Sequence, residues 1–309
     1  MPNGHSESLA TLPEPAPIPA TELQQVADAV RSGECTLFLG AGAHSLPPDG
    51  SSFTYVAADA PPRGAELSKT LAAACGGDTA ILGDLSDLRR ISLYYERVKH
   101  SRPKLIQQLF EEVQENRKPS PMLRALAELP FSHVITTNFD NLFERALSQA
   151  GKDCEVSVYT AARKHPKSPS RSVGPGRPFV LKIHGDFERE REDPSIVVTE
   201  EDYITFVLRM RDADELNPVP LAVRAQLAQN PTLFIGYSLN DYNLRILFRA
   251  LRYSGDWGGL PSSFSIDPRP NPIIQKLLTT EYQILFVAED LWRFVPLLYQ
   301  AVLGKALTP

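Results

Sequence analysis

Cysteine is scarce in this chain of 309 residues. Its three cysteines, Cys35, Cys75 and Cys154, stand far apart with no C-x-x-C pair. That spacing argues against a disulfide framework and against a four-cysteine zinc site, so three reduced thiols are expected. Long apolar runs are missing too, and none approaches the roughly 20 residues that span a bilayer. The opening stretch, MPNGHSESLATLPEPAPIPA, has neither a basic start nor a continuous apolar segment, so nothing in it resembles a secretory signal, and a cytoplasmic location without a membrane partner is expected. A net charge of −5 gives no overall electrostatic reason to bind DNA or RNA, and direct nucleic-acid contact is not expected. The stretch from Arg163 to Arg177 carries five Lys or Arg and no acid, and reads as a solvated loop. No internal repeat stands out. No G-x-x-x-x-G-K-[ST] occurs, which disfavours a P-loop ATPase, and no H-E-x-x-H or Cys/His cluster suggests a metal.

What is present belongs to an ordinary globular protein, with 42% hydrophobic and 22% charged residues. Residues 1–20, rich in Pro, Ala and Ser, predict a disordered tail. Order is expected from Thr21, where Thr21 and Gln24 fit a capping box, Leu23, Val26, Ala27 and Val30 share one helical face, and Gly33 suits the position past the helix end. Cys35 to Leu39 follows as a short apolar strand. Four helices are then predicted over Glu66 to Ala74, Leu88 to Val98, Pro103 to Val113 and Met122 to Leu129, with Pro103 at a first helical position and Ser120 as a cap before Pro121. Further strands are predicted over Phe131 to Thr136, Phe179 to Ile183, Thr232 to Ile235 and Tyr282 to Val287. Helices are predicted over Asp140 to Gln149, Asp241 to Leu251 and Leu291 to Leu303. Short apolar strands separated by helices indicate an α/β protein with a Rossmann-like, doubly wound parallel sheet. The helices within residues 65–130 are too many for a simple crossover and predict a smaller helical module inserted into the domain spanning 21–309.

Strand ends carry the chemistry in such a sheet, because they converge on one crevice. Gly40-Ala41-Gly42 follows the strand TLFL, and small residues there let backbone N–H groups approach a pyrophosphate. Ser45 stands where a full G-x-G-x-x-G fingerprint wants its third glycine, which disfavours a dehydrogenase. Thr136-Thr137-Asn138-Phe139-Asp140 follows the strand HVIT. Asp140 fits a helix N-cap, whereas Asn138 is an amide that can orient a ribose hydroxyl or a water. His184-Gly185-Asp186 follows FVLKI, and a histidine at a strand end beside a glycine is a general-base candidate. His44 has two readings, first a loop residue and second a side chain that reaches the ligand pocket.

Taken together, G-A-G, T-T-N-F-D and K-I-H-G-D, each after a strand and in this order, resemble the sirtuin superfamily, most closely its prokaryotic sirtuin-like NAD-hydrolase branch. Gly236-Tyr237-Ser238-Leu239-Asn240-Asp241 adds the G-Y-S-x-x-D form typical of that branch. The resemblance covers Gly33 to Leu251. It implies NAD as the substrate, with Asn138 and His184 catalytic and with Gly40, Ala41, Gly42, Thr137, Asp140, Gly236, Tyr237, Ser238 and Asp241 binding the dinucleotide. The chain departs from deacylase-type sirtuins in lacking the cysteines of their zinc ribbon and in reading His44-Ser45-Leu46-Pro47-Pro48 where they carry an I-P-D-F-R-like stretch. Water as the acceptor is then the simpler proposal, and no metal is expected. The implied function is NAD glycohydrolysis to nicotinamide and ADP-ribose in antiphage defence. A protein deacylase or ADP-ribosyltransferase, and a non-catalytic NAD or ADP-ribose sensor, are the alternatives. The resemblance also implies a homo-oligomer, or a partner such as a translocase-type ATPase or an Argonaute-like sensor.

Overall fold

Four residues suffice for the strands inside the sheet because nearly every position there is buried. TLFL, FVLK, TLFI and SFSI are covered at all four positions, as required of parallel strands with helices on both faces. The computed structural model describes residues 20–76, 82–161, 166–210, 216–237 and 261–309. Within them, β1 (Thr36–Leu39), β2 (His133–Thr136), β3 (Glu155–Val158), β4 (Phe179–Lys182), β5 (Thr232–Ile235), β6 (Ser263–Ile266) and β7 (Ile284–Val287) form one sheet in the order β3-β4-β2-β1-β5-β6-β7. Every pairing is parallel. From β1 the chain proceeds to β2 on one side, and β5 lies on the other, so the topological switch point falls between β1 and β5.

Alternation along the strands divides the core. Leu37, Leu39, Val134, Val180, Leu233 and Ile235 face a layer that includes α1 (Ala20–Arg31), α5 (Pro121–Glu128), α6 (Leu142–Gln149) and α11 (Leu291–Leu303). Phe38, Ile135, Leu181 and Phe234 face the opposite layer, to which α8 (Glu200–Arg209), α9 (Leu221–Gln229) and α10 (Pro272–Tyr282) contribute Phe206, Val223 and Leu278. A third core joins α2 (Gly64–Ala74), α3 (Leu88–Lys99) and α4 (Arg102–Val113) to Phe187, Ile196 and Val198, residues that follow β4. Of the four helices expected in the inserted module, three therefore share this separate core. The fourth, α5, packs in the main layer through Met122, Leu123 and Leu126. Among the described residues no helix is long and apolar enough to cross a membrane.

Local signals account for most boundaries. Ser101 caps α4 with Pro103 in its first turn, and the Ser120 hydroxyl accepts the Leu123 N–H at 3.0 Å. Gly33 adopts φ +74 just past α1. The start of α1 needs correction: the helix already contains Ala20 and Thr21, so Thr21 is not its cap. The helix expected from Asp140 begins at Leu142, and the strand expected from Tyr282 begins at Ile284, because α10 runs to Tyr282 and Gln283 turns at φ +54. Absent from the sequence reading were β3, β6, the one-turn α7 (Phe187–Glu190), and α8 to α10. The expected tail before Ala20 and the expected helix Asp241 to Leu251 lie outside the described residues.

Candidate active site

Three strand ends meet at the switch point. The Gly40 N–H donates to the Ile235 carbonyl and the Gly42 N–H to the Gly236 carbonyl, both at 2.9 Å. A Cβ on Gly40 would sit 2.6 Å from the Gly236 oxygen, and one on Gly42 would sit 2.9 Å from the Gly236 Cα. The glycines thus let the ends of β1 and β5 touch, and the Gly42 amide is engaged within the protein rather than offered to a phosphate. That corrects the simplest reading of G-A-G. Beyond it, Ala41–His44 forms a single 3-10 turn that carries the chain into the Pro-rich loop.

The β2 end is tied to the same place. Thr136 donates its hydroxyl to the Leu39 carbonyl and accepts the Asn138 N–H, each at 3.0 Å. Asn138 Nδ2 donates to the Gly40 carbonyl at 3.3 Å, and the Thr137 hydroxyl bonds the Tyr237 hydroxyl. Tyr237 in turn meets the Phe38 ring edge-on, at 5.1 Å between centroids. Gly40, Thr137, Asn138, Gly236 and Tyr237 are therefore one connected group. Ser238 and Asp241 lie outside the described residues.

Asp140 and His44 differ from expectation. One Asp140 carboxylate oxygen accepts the Leu142 N–H at 2.9 Å from one position before the N-cap, which is Asn141 rather than the expected Asp140, and the other lies 3.2 Å from His44 Nε2. Both residues are about 95% buried, so His44 is not a loop side chain in solvent. Burial by itself raises a carboxyl, but His44 and Lys182 beside Asp140, with the Leu142 amide, hold it below the ordinary aspartate value. With both oxygens engaged, Asp140 shapes the loop from within. Position two after the G-A-G glycine was the signal for His44, since a residue held in a tight turn at the switch point has little choice but to point inward.

Lys182 was not singled out from the sequence, although a charge inside the apolar run FVLKI must be paired. It is fully buried and donates to the Asp140 carbonyl at 2.6 Å and to Glu144 Oε1 at 2.8 Å, with Asp186 Oδ2 at 3.8 Å. Burial disfavours its charge, yet Glu144, Asp186 and Asp140 hold the ammonium above the usual lysine value. One cation thus joins the β2 loop, α6 and the β4 loop. A cavity of ≈280 Å³ opens over it, lined among others by Gln114, Phe139, Asn141 and Phe187. None of Gly40, Asn138 or His184 lines that cavity, so it lies beside the switch point rather than at it.

His184 is brought near Asn138 by register. Thr136 pairs with Lys182, so Asn138 and His184 each stand two residues beyond the same rung of adjacent strands. The imidazole meets the rings of Tyr203 and Phe206 edge-on at 5.2 and 5.0 Å. Burial among these rings lowers its pKa to about 3, so the ring is neutral at pH 7. Gly185 turns at φ +81 against the Ser195 carbonyl, where a Cβ would overlap backbone. Cys35, Cys75 and Cys154 are free thiols.

The sequence pattern of the SIR2-like domain family matches residues 132–287, just over half of the chain. The chain belongs to the SIR2-like domain family. Among its relatives are an NAD(+) hydrolase ThsA of Acinetobacter baumannii, 32% identical over 168 residues, which are 54% of this chain and 32% of that protein. Defense-associated sirtuin 2 of Bacillus subtilis is 29% identical over 51% of this chain and 14% of its own length. The NAD(+) hydrolase ThsA of Enterococcus faecium is 27% identical over 75% of this chain and 42% of its own. The matches to these relatives thus take in less than half of each relative's length. A solved chain from work on the mechanism and regulation of Sir2 enzymes aligns with 92% of this chain and 98% of its own at a TM-score of 0.45 and 13% identity, too distant to carry any residue across.

Proposed function

We propose that this SIR2-like chain is an NAD glycohydrolase of a prokaryotic antiphage defence system. The observation that carries the reading is the placement of Asn138. Its amide is fixed by Gly40 at the switch point, one strand from His184, where a doubly wound sheet binds a dinucleotide. The names of the relatives, which include NAD(+) hydrolases and a defence-associated sirtuin, agree with it.

In the reaction water attacks the ribose carbon bonded to nicotinamide, the glycosidic C–N bond breaks, and its electron pair leaves with nicotinamide, which departs neutral. One proton from the water is released. The site therefore needs orientation and stabilisation of an oxocarbenium-like ribose rather than a strong acid. Asn138 orients the ribose or the water. His184, neutral at pH 7, has a lone pair free to accept the proton, and NAD's negative phosphates favour that transfer by stabilising the imidazolium.

The low basicity of His184 also favours a second reading, a sensor that binds NAD or ADP-ribose without cleaving it. Incubating the protein with NAD, with and without an acetylated peptide, while following nicotinamide separates these. Release without peptide is expected. Release only with peptide identifies a deacylase, and calorimetric binding without release identifies the sensor.

Control is proposed to come from assembly, with itself or with a partner, because an unrestrained NAD hydrolase would drain its own cell. Linkage then requires NAD to tighten that assembly. Light scattering and nicotinamide release across a concentration series check this, and a fully active monomer indifferent to concentration and partners counts against it.

A further inference from the structure

His44 has a geometry that a space-filling histidine does not need. It is 5% exposed, its Nε2 lies 3.2 Å from Asp140 Oδ2 and 3.2 Å from Asn138 Nδ2, and its Nδ1 is buried without a hydrogen-bond partner among the described residues. Nε2 cannot serve both neighbours. If it bears a proton it donates to the carboxylate, and if it bears a lone pair it accepts from the amide. The carboxylate interaction is the stronger because the acceptor is charged. Among the described residues Asp140 has no other proton donor at that oxygen, whereas Asn138 Nδ2 already donates to the Gly40 carbonyl. Nε2–H therefore belongs to Asp140.

The assignment has a consequence for Asn138. Asn138 Nδ2 lies between the Gly40 carbonyl at 3.3 Å and His44 Nε2 at 3.2 Å, so the planar amide directs Oδ1 away from both. Asn138 is only partly buried, and no described residue donates to Oδ1. That oxygen is the acceptor of Asn138 left without a donor among the described residues.

We infer that His44 is a positioning residue for the proposed NAD hydrolysis: it locks Asp140, and with it the β2 loop, so that Asn138 Oδ1 is held out as the acceptor for a ribose hydroxyl of NAD. The inference rests on the NAD-hydrolase reading, and the test separates the two. His44→Ala, His44→Gln, Asn138→Ala and the His44→Ala/Asn138→Ala double variant are assayed for nicotinamide release, with folding checked by circular dichroism and thermal unfolding. His44→Ala is expected to lower kcat about 100-fold with KM little changed, the scale of a small misplacement of a group that orients the reacting atoms. His44→Gln, whose side-chain N–H replaces Nε2–H, is expected to restore most of the rate. His44→Ala is expected to add nothing once Asn138 is gone, because residues acting as a unit are not additive. A folded His44→Ala variant at the parent rate, or an equal loss with and without Asn138, overturns the inference.

Nitrogen-15 NMR of the parent chain covers the case in which His44→Ala does not fold. The His44 ring signal, identified by its absence in His44→Gln, is expected to show a protonated Nε2 and to shift when ADP-ribose is added. An unprotonated Nε2, or no shift under conditions where calorimetry shows binding, overturns the inference. A shift in a chain that releases no nicotinamide overturns the hydrolase reading and supports the place of His44 at the ligand.

Discussion

The Gly42 amide donates to the Gly236 carbonyl at 2.9 Å, and with the Gly40–Ile235 bond beside it this closes the central strands against each other where the sheet changes direction. Gly236 stands at φ +77, and a side chain there would overlap the Ala43 amide nitrogen and come within 2.6 Å of the Gly40 carbonyl. Gly236→Ala thus adds backbone strain to a collision with backbone that cannot move aside. A loss of at least about 2 kcal/mol is expected in a urea titration, together with loss of nicotinamide release. Parent-like stability would show that the β1 and β5 turns can separate.

Lys182 offers a second test. Removing its charge by Lys182→Met strands Glu144 and Asp186 beneath the β2 loop, and breaking a buried pair in this way costs about 3–5 kcal/mol. Lys182→Met/Glu144→Leu removes both ends of the closest pair and is expected to recover part of the loss. Chemical denaturation of both variants decides. Equal destabilisation would mean that Glu144 contributes nothing to holding the lysine.

His184 makes stability depend on pH. Burial depresses its folded-state pKa from 6.5 to about 3, so between those values the unfolded chain takes up a proton that the folded chain refuses. The stabilising difference is fully present above pH 6.5 and is lost as pH falls, at about 1.4 kcal/mol per pH unit. His184→Phe, which keeps an aromatic ring against Tyr203 and Phe206, is expected to remove that component of the slope. Superimposable stability profiles for the parent and this variant between pH 4 and pH 7 would refute it.

Asn138→Ala and His184→Ala are each expected to reduce nicotinamide release about 100-fold to 10,000-fold while the chain stays folded. Both side chains sit past strand ends, so truncating them removes no strand position. Parent-rate hydrolysis by either folded variant would remove that residue from the mechanism.

The sheet was legible where strands were apolar and bounded by sharp turns, as in TLFL, FVLK and TLFI. It was not legible in β3, where EVSV on the sheet edge is half polar, or in α9, where LAVRAQLAQ presents no clear apolar stripe. Partner strands and layers decide such segments, and a local pattern does not record them. The candidate site divides in the same way. Asn138 and His184 were readable from their places after apolar strands. The contact of Asn138 with His44, 94 positions apart in sequence, depends on β1 and β2 pairing in register. Lys182 was visible as a charge in a buried strand, but its partners Glu144 and Asp186 became visible only with the fold.

Residues 132–287, the stretch that carries the family pattern, contain six of the seven described strands and omit β1, the strand at the middle of the sheet. Expressed alone, that fragment would hold two half-sheets, β3-β4-β2 and β5-β6-β7, each with a bare edge where β1 should lie. Unpaired apolar edges of that kind recruit other chains and aggregate. The limits of recognisable ancestry and the limits of independent folding do not coincide here, and a truncation designed on the first would discard the strand that leads to Gly40 and His44.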